Sequence, residues 1–271
     1  MFIVWGTKIK RKRLGRVAEF CPICRKARAH VIRRIGEASH VYYVSFGQGS
    51  LVGHETECET CHLRDGAEIR DYAQVSQNPL SDVDELISET YPNFRESYSD
   101  RFAIEAKIAA GTLAGEDRTE ALREPFFMLE PMIERNRAEP ESSPMGKKVG
   151  YFTLFTGLAF VLAVVLAARA DQGLTPVMKN VLAALLVLLG AGMLATFYFL
   201  AARHPWFMKN RIRPQLLSAL TPLQPTEEEL TETLAFCKQS GLRIGKKIKA
   251  LKLHAWLQER QMLAPLQTRD V

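Results

Sequence analysis

Two Cys-x-x-Cys pairs constrain this 271-residue chain more than any other feature. Cys21-Pro-Ile-Cys24 and Cys58-Glu-Thr-Cys61 stand 33 residues apart. Two such knuckles supply four thiolates, which suit the tetrahedral preference of zinc, and a CxxC turn lets backbone N–H groups support the sulfurs. Pro22 presets the turn after the first ligand. The expected site is one structural zinc per chain, held by Cys21, Cys24, Cys58 and Cys61. A closed four-sulfur shell leaves no position for water or substrate, so its binding energy becomes folding energy. Iron could use the same ligands. Two disulfides and a haem attached at Cys58-x-x-Cys61-His62 are the competing readings; both need an oxidising compartment or export, for which the chain carries no leader-like segment. His30, His40 and His54 lie between the knuckles as substitute ligands, and Cys237 reads as a small core residue.

Between the knuckles the chain reads as short strands: Val41, Tyr43 and Val44–Phe46 are β-formers, and Gly47-Gln48-Gly49 is a turn. With the opening Phe2–Gly6 strand this makes a small β-ribbon clamped by metal. The opening FIVWGTKIKRKRLG followed by CPIC and a later CxxC resembles a group of bacterial zinc-ribbon proteins. That family begins with an apolar strand, Phe-Gly-Thr-Lys, a basic stretch, Leu-Gly and CPxC; here Trp5-Gly6 and Leu14-Gly15 occupy the corresponding places. The match covers roughly residues 1–65. It departs at SFGQGSLVG, where the family has an aromatic, proline-containing segment. The resemblance implies a ribbon fold and the same four metal ligands, and no reaction.

The net charge of +6 conceals segregation. Residues 1–34 carry a net +10, residues 55–141 a net −12, and the tail from 203 a further +6. The basic amino-terminal block is expected to dock on the acidic middle. Residues 66–137 show helical spacing, with helices expected near 98–110 and 118–135, the latter kinked or divided by Pro125 and Pro131; 138–149 is a linker. Ser81-x-x-Asp84 and Thr226-x-x-Glu229 resemble capping boxes, with Gly241 as a stop. In the basic tail, Ile244, Ile248 and Leu251 form one helical stripe beside Lys246, Lys247, Lys249 and Lys252. That helix either meets anionic lipid or packs on protein.

Residues 150–168 and 180–202 carry no charge. At about 1.5 Å per residue they would reach a hydrocarbon core of about 30 Å, so a transmembrane hairpin is expected over 150–202. Arg135, Arg137, Lys147 and Lys148 precede it and Arg203, Lys209, Arg211 and Arg213 follow it, which places both termini in the cytoplasm. No hydrolase, zincin, P-loop or dinucleotide-binding motif is present, and no enzyme is expected. The combined expectation is a small β zinc ribbon (1–65), an acidic helical segment (66–137), a linker, the hairpin and a helical tail (203–271). It describes an integral membrane adaptor whose zinc shapes a protein-interaction module. The alternative is a membrane-tethered nucleic-acid binder using Lys8–Arg16; the lysines have no accompanying stacking aromatics, which disfavours nucleic acid.

Overall fold

The amino-terminal block, which carries β-formers such as Ile9, Val17, Val31 and Ile32 among its basic residues, folds as long strands. A computed structural model describes residues 5–41, 44–45, 47–78, 82–138, 155–161, 164–165 and 176–267. Strand β1 runs Trp5–Cys21, β2 Lys26–Val41, β3 Val44–Ser45, β4 Ser50–Cys58 and β5 Arg64–Ala67. They form one antiparallel sheet of order β1-β2-β4-β5, with β3 paired to β2. The strands are much longer than the short β-formers of the sequence suggest. Carboxylates answer several of the strand cations, as in the Arg11–Glu55, Arg16–Glu59 and Arg33–Glu57 pairs, so charge does not interrupt a strand. The readings that fall on Phe2–Val4, Tyr43 and Phe46 lie outside the described residues.

The chain divides into two compact units, Met1–Met132 with Pro214–Val271, and Ile133–Arg213. In the first, helices α1 (Val83–Thr90), α2 (Phe94–Ser97) and α3 (Ser99–Ala109) follow the ribbon. They cover it by aromatic packing: Phe20 of β1 meets Tyr98 and Phe102 at ring-centroid distances of 5.8 and 5.9 Å, and Phe94 lies 4.8 Å from Tyr98. Arg101 sits over the Phe20 ring at 5.2 Å. The contact between the basic and acidic segments thus combines aromatic packing with the Arg25–Glu105 ion pair. Val17, Ile32 and Tyr72 make a second buried cluster beneath Val75 and Tyr91.

Helix α4 spans Gly115–Ala138 without division, although it contains Pro125 and Pro131. Each proline removes a helical donor. The apolar face of Leu122, Phe126 and Leu129, all buried, holds the helix together nonetheless. Asp82 caps α1, its carboxylate accepting from the Val83 N–H at 2.7 Å; Ser81 lies outside the described residues.

In the tail, α6 (Arg213–Leu220), α7 (Glu227–Gln239), α8 (Arg243–Lys247) and α9 (Ala250–Gln267) follow in order. Thr226 and Glu229 form the expected reciprocal capping box. The single stripe of Ile244, Ile248 and Leu251 does not form, because extended backbone at Ile248 separates α8 from α9. Ile244 is buried and Leu251 exposed. The Glu130 carboxylate caps the start of α8, accepting from the N–H groups of Arg243 and Ile244 at 2.8 and 3.0 Å.

The second unit contains the end of α4, helical residues at 155–161 and 164–165, and α5 (Pro176–Phe207), which passes into a π-helical turn at Met208–Ile212. Among the described residues, no helix is long and apolar enough to cross a membrane. This overturns the expected hairpin of 150–168 and 180–202, and with it the integral-membrane localisation and the two-span topology. Absence of charge permits a segment to enter hydrocarbon but does not make it a spanning helix.

Candidate metal centre

Both knuckles grow from strand ends at one end of the sheet. Cys21 closes β1 and Cys58 closes β4, and the two CxxC turns follow them. They have the same local geometry. The Arg25 N–H donates to the Cys21 carbonyl at 2.7 Å, and the His62 N–H donates to the Cys58 carbonyl at 2.9 Å. Closing each turn requires a left-handed residue directly after its second cysteine: Arg25 has φ 55° and His62 has φ 60°. Neither is glycine, so each stores about 1–2 kcal/mol of backbone strain. The Cys24 N–H donates to the Cys21 sulfur at 3.4 Å, the backbone support that a thiolate ligand uses.

The four sulfurs converge, all within 4.8 Å of one another. Cys21 Sγ lies 3.4 Å from Cys61 Sγ, and Cys24 Sγ lies 3.9 Å from Cys58 Sγ. A tetrahedron with Zn–S bonds of about 2.3 Å has edges of about 3.8 Å. The donor set fits zinc in number, chemistry and spacing. All five cysteines are unbridged. Protons are unevenly held among the crowded thiols. The Cys24 thiol, hydrogen-bonded chiefly to Cys21, is pulled down to about 7, and Cys58 is pulled down by its bonds to Cys21 and Cys24. Cys21 is pushed up, first by its bond to Cys24. At Cys61 the bond to Cys21 pulls down, but those to Cys24 and Cys58 outweigh it and raise the thiol.

Residues far away in sequence hold the knuckles. Gln215 of α6 is buried and donates its Nε2 to the Cys61 carbonyl. The Arg25 side chain, 5% exposed, donates from Nε to Glu105 Oε2 at 2.8 Å and from Nη1 to the Ala219 carbonyl at 3.2 Å. Glu105 also meets Arg101 at 3.1 Å, and Arg101 meets Glu124 at 2.7 Å, a chain of ion pairs from the first knuckle across α3 to α4. At the second knuckle Glu59 accepts both Nε and Nη2 of Arg16, at 2.7 and 2.8 Å. Glu57 accepts from Arg64 and Arg33. Burial alone would raise the Glu57 carboxyl, but the Arg64 and Arg33 charges more than offset it and hold it down. Arg25 and Arg64, flanking cations in the sequence, are thus committed to carboxylates rather than left facing the sulfurs.

His30 sits opposite Cys58 across the β2–β4 pairing. It is buried, hydrogen-bonds the Cys58 sulfur, and has Nδ1 3.1 Å from the Arg28 carbonyl. Burial disfavours its charged form, yet the Cys58 bond and the Glu19 charge together raise its basicity. His30 is therefore an outer partner of a ligand. His62 is half exposed and reaches Glu57 at 3.3 Å. Cys237 is fully buried on α7, and burial pushes its thiol up to about 11, as befits a core residue. The roles of Gln215 and Glu105 have no signal in the sequence, since each acts across at least 80 residues. The chain matches no protein-family model, no curated protein and no solved structure.

Proposed function

We propose that this chain is a zinc-ribbon interaction protein in which one structural zinc, held by Cys21, Cys24, Cys58 and Cys61, shapes a non-catalytic surface for a protein partner. The observation that carries the reading is the convergence of four sulfurs from two like-folded knuckles at spacings suited to tetrahedral zinc. The surroundings support a structural role. The sulfurs complete the shell among themselves, and Gln215, Arg25 and Glu105 tie both knuckles to α6 and α3. Zinc binding would then stabilise the seam between the ribbon and its helices rather than present a Lewis acid to a substrate.

Affinity capture from a cell extract with the intact chain and with the Cys21→Ser, Cys58→Ser double variant tests the reading. A protein retained by the intact chain and lost with the variant supports it. A retained set that is identical for both forms, or that nuclease treatment removes, rejects it.

A further inference from the structure

The tail gathers its cations at the junction of α8 and α9. Lys246 and Lys247 end α8, Lys249 stands in the extended link, and Lys252 lies in the first turn of α9. The buried positions of these helices decide where the lysines point. Ile244 is buried, and Gly245 runs so close to α7 that a Cβ there would meet the Lys238 backbone nitrogen at 2.8 Å. With those two residues turned inward, Lys246 and Lys247 are left on the exposed side of α8. On α9 the inward positions are Leu253 and Leu257, both buried, and Lys249 and Lys252 are exposed. Among the described residues, none of the four lysine side chains meets a carboxylate. No acid occurs between Glu232 and Glu259.

Apolar surface continues from this cluster. Leu251 is 68% exposed and Met262 71%, and Ala255 is exposed between them. At about 100° per residue these three fall within about 40° of one another around α9, on the side away from Leu253 and Leu257, with Gln258 as the polar member of the face. The face runs for about 16 Å along the helix. We propose that it adsorbs to an anionic lipid surface, the four lysines meeting the headgroups while Leu251 and Met262 enter the boundary of the acyl chains. Such adsorption reaches only about 5–10 Å into the bilayer and asks for no helix that crosses it. Long lysine stems let the charges reach the headgroups while the helix lies lower. A nucleic acid would answer the lysines but leave Leu251 and Met262 in water. The core of a protein interface is depleted of lysine and enriched in arginine and aromatic residues, whereas lysines beside exposed leucine are the pattern of interfacial helices.

The test is co-sedimentation of the full chain with vesicles of phosphatidylcholine alone or with about 30 mol% phosphatidylserine. The anionic vesicles should bind the chain more than about tenfold more tightly, and high salt should erase the difference. Each lysine near such a surface contributes about fivefold in affinity, so Lys247→Gln with Lys249→Gln should weaken binding about 25-fold. Leu251→Ser should weaken it about tenfold. All three side chains are exposed, so these variants should keep the circular dichroism spectrum of the parent chain. Three results overturn the proposal: equal binding to neutral and anionic vesicles, a double-lysine variant that binds as the parent does, or a duplex RNA or polyglutamate chain that binds more tightly than the anionic vesicles and ignores Leu251→Ser.

Discussion

Arg25 joins two features that rarely coincide, a left-handed backbone and a buried guanidinium, and replacing it should expose both. Its side chain is 5% exposed and that of Glu105 is 17% exposed, so solvent screens the pair little. Removing one partner of a fully buried pair costs about 3–5 kcal/mol. Glu105 keeps Arg101 at 3.1 Å, which reduces that cost to about 2 kcal/mol. The bond to the Ala219 carbonyl at 3.2 Å adds about 1 kcal/mol. Arg25→Ala should therefore destabilise the first unit by about 3 kcal/mol. Arg25→Gly loses the same bonds but relieves the strain at φ 55°. After the greater freedom of glycine in the unfolded chain is subtracted, it should be more stable than Arg25→Ala by about 0.5–1 kcal/mol. Urea unfolding followed by circular dichroism, with zinc saturating, measures both. A loss below about 0.5 kcal/mol for Arg25→Ala, or a glycine variant less stable than the alanine one, refutes the reasoning.

The Glu229 carboxyl is held below its ordinary value, chiefly by its hydrogen bond with Arg118. A depressed carboxyl contributes stability that is present above the unfolded value of about 4.3 and is lost as pH falls through the folded one; Glu229→Gln should flatten that acid limb in urea titrations. Gly15→Ala places a Cβ 2.5 Å from the Ser76 carbonyl oxygen. It should break the Arg16–Ser76 bridge and speed amide exchange at both residues, seen by hydrogen-exchange mass spectrometry. Cys237 should resist alkylation at pH 8 in the folded chain, since its thiol titrates near 11.

The ligands were readable because metal chemistry acts locally: two residues between cysteines define a knuckle, and two knuckles define a site. The Thr226–Glu229 cap was readable for the same reason, its whole geometry falling within four residues. What surrounds the cysteines was not. Gln215 reaches the Cys61 carbonyl from 154 positions away, and no residue spacing records such a contact. The strands run longer than their apolar clusters suggest, because β1 alternates Lys8, Lys10 and Lys12 with Ile9 and Arg11. The cap on α8 has no local signal either, since Glu130 reaches the Arg243 and Ile244 N–H groups from α4. The hairpin failed as an inference because freedom from charge was treated as a length of spanning helix, and among the described residues no helix meets that requirement.

The central claim is a structural zinc at Cys21, Cys24, Cys58 and Cys61, and elemental analysis of the purified full chain tests it most directly. The account predicts about one zinc per chain, lost in the Cys21→Ser, Cys58→Ser variant together with the cooperative unfolding of the ribbon. A chain purified without metal, or a zinc stoichiometry unchanged by removing those two sulfurs, would contradict it.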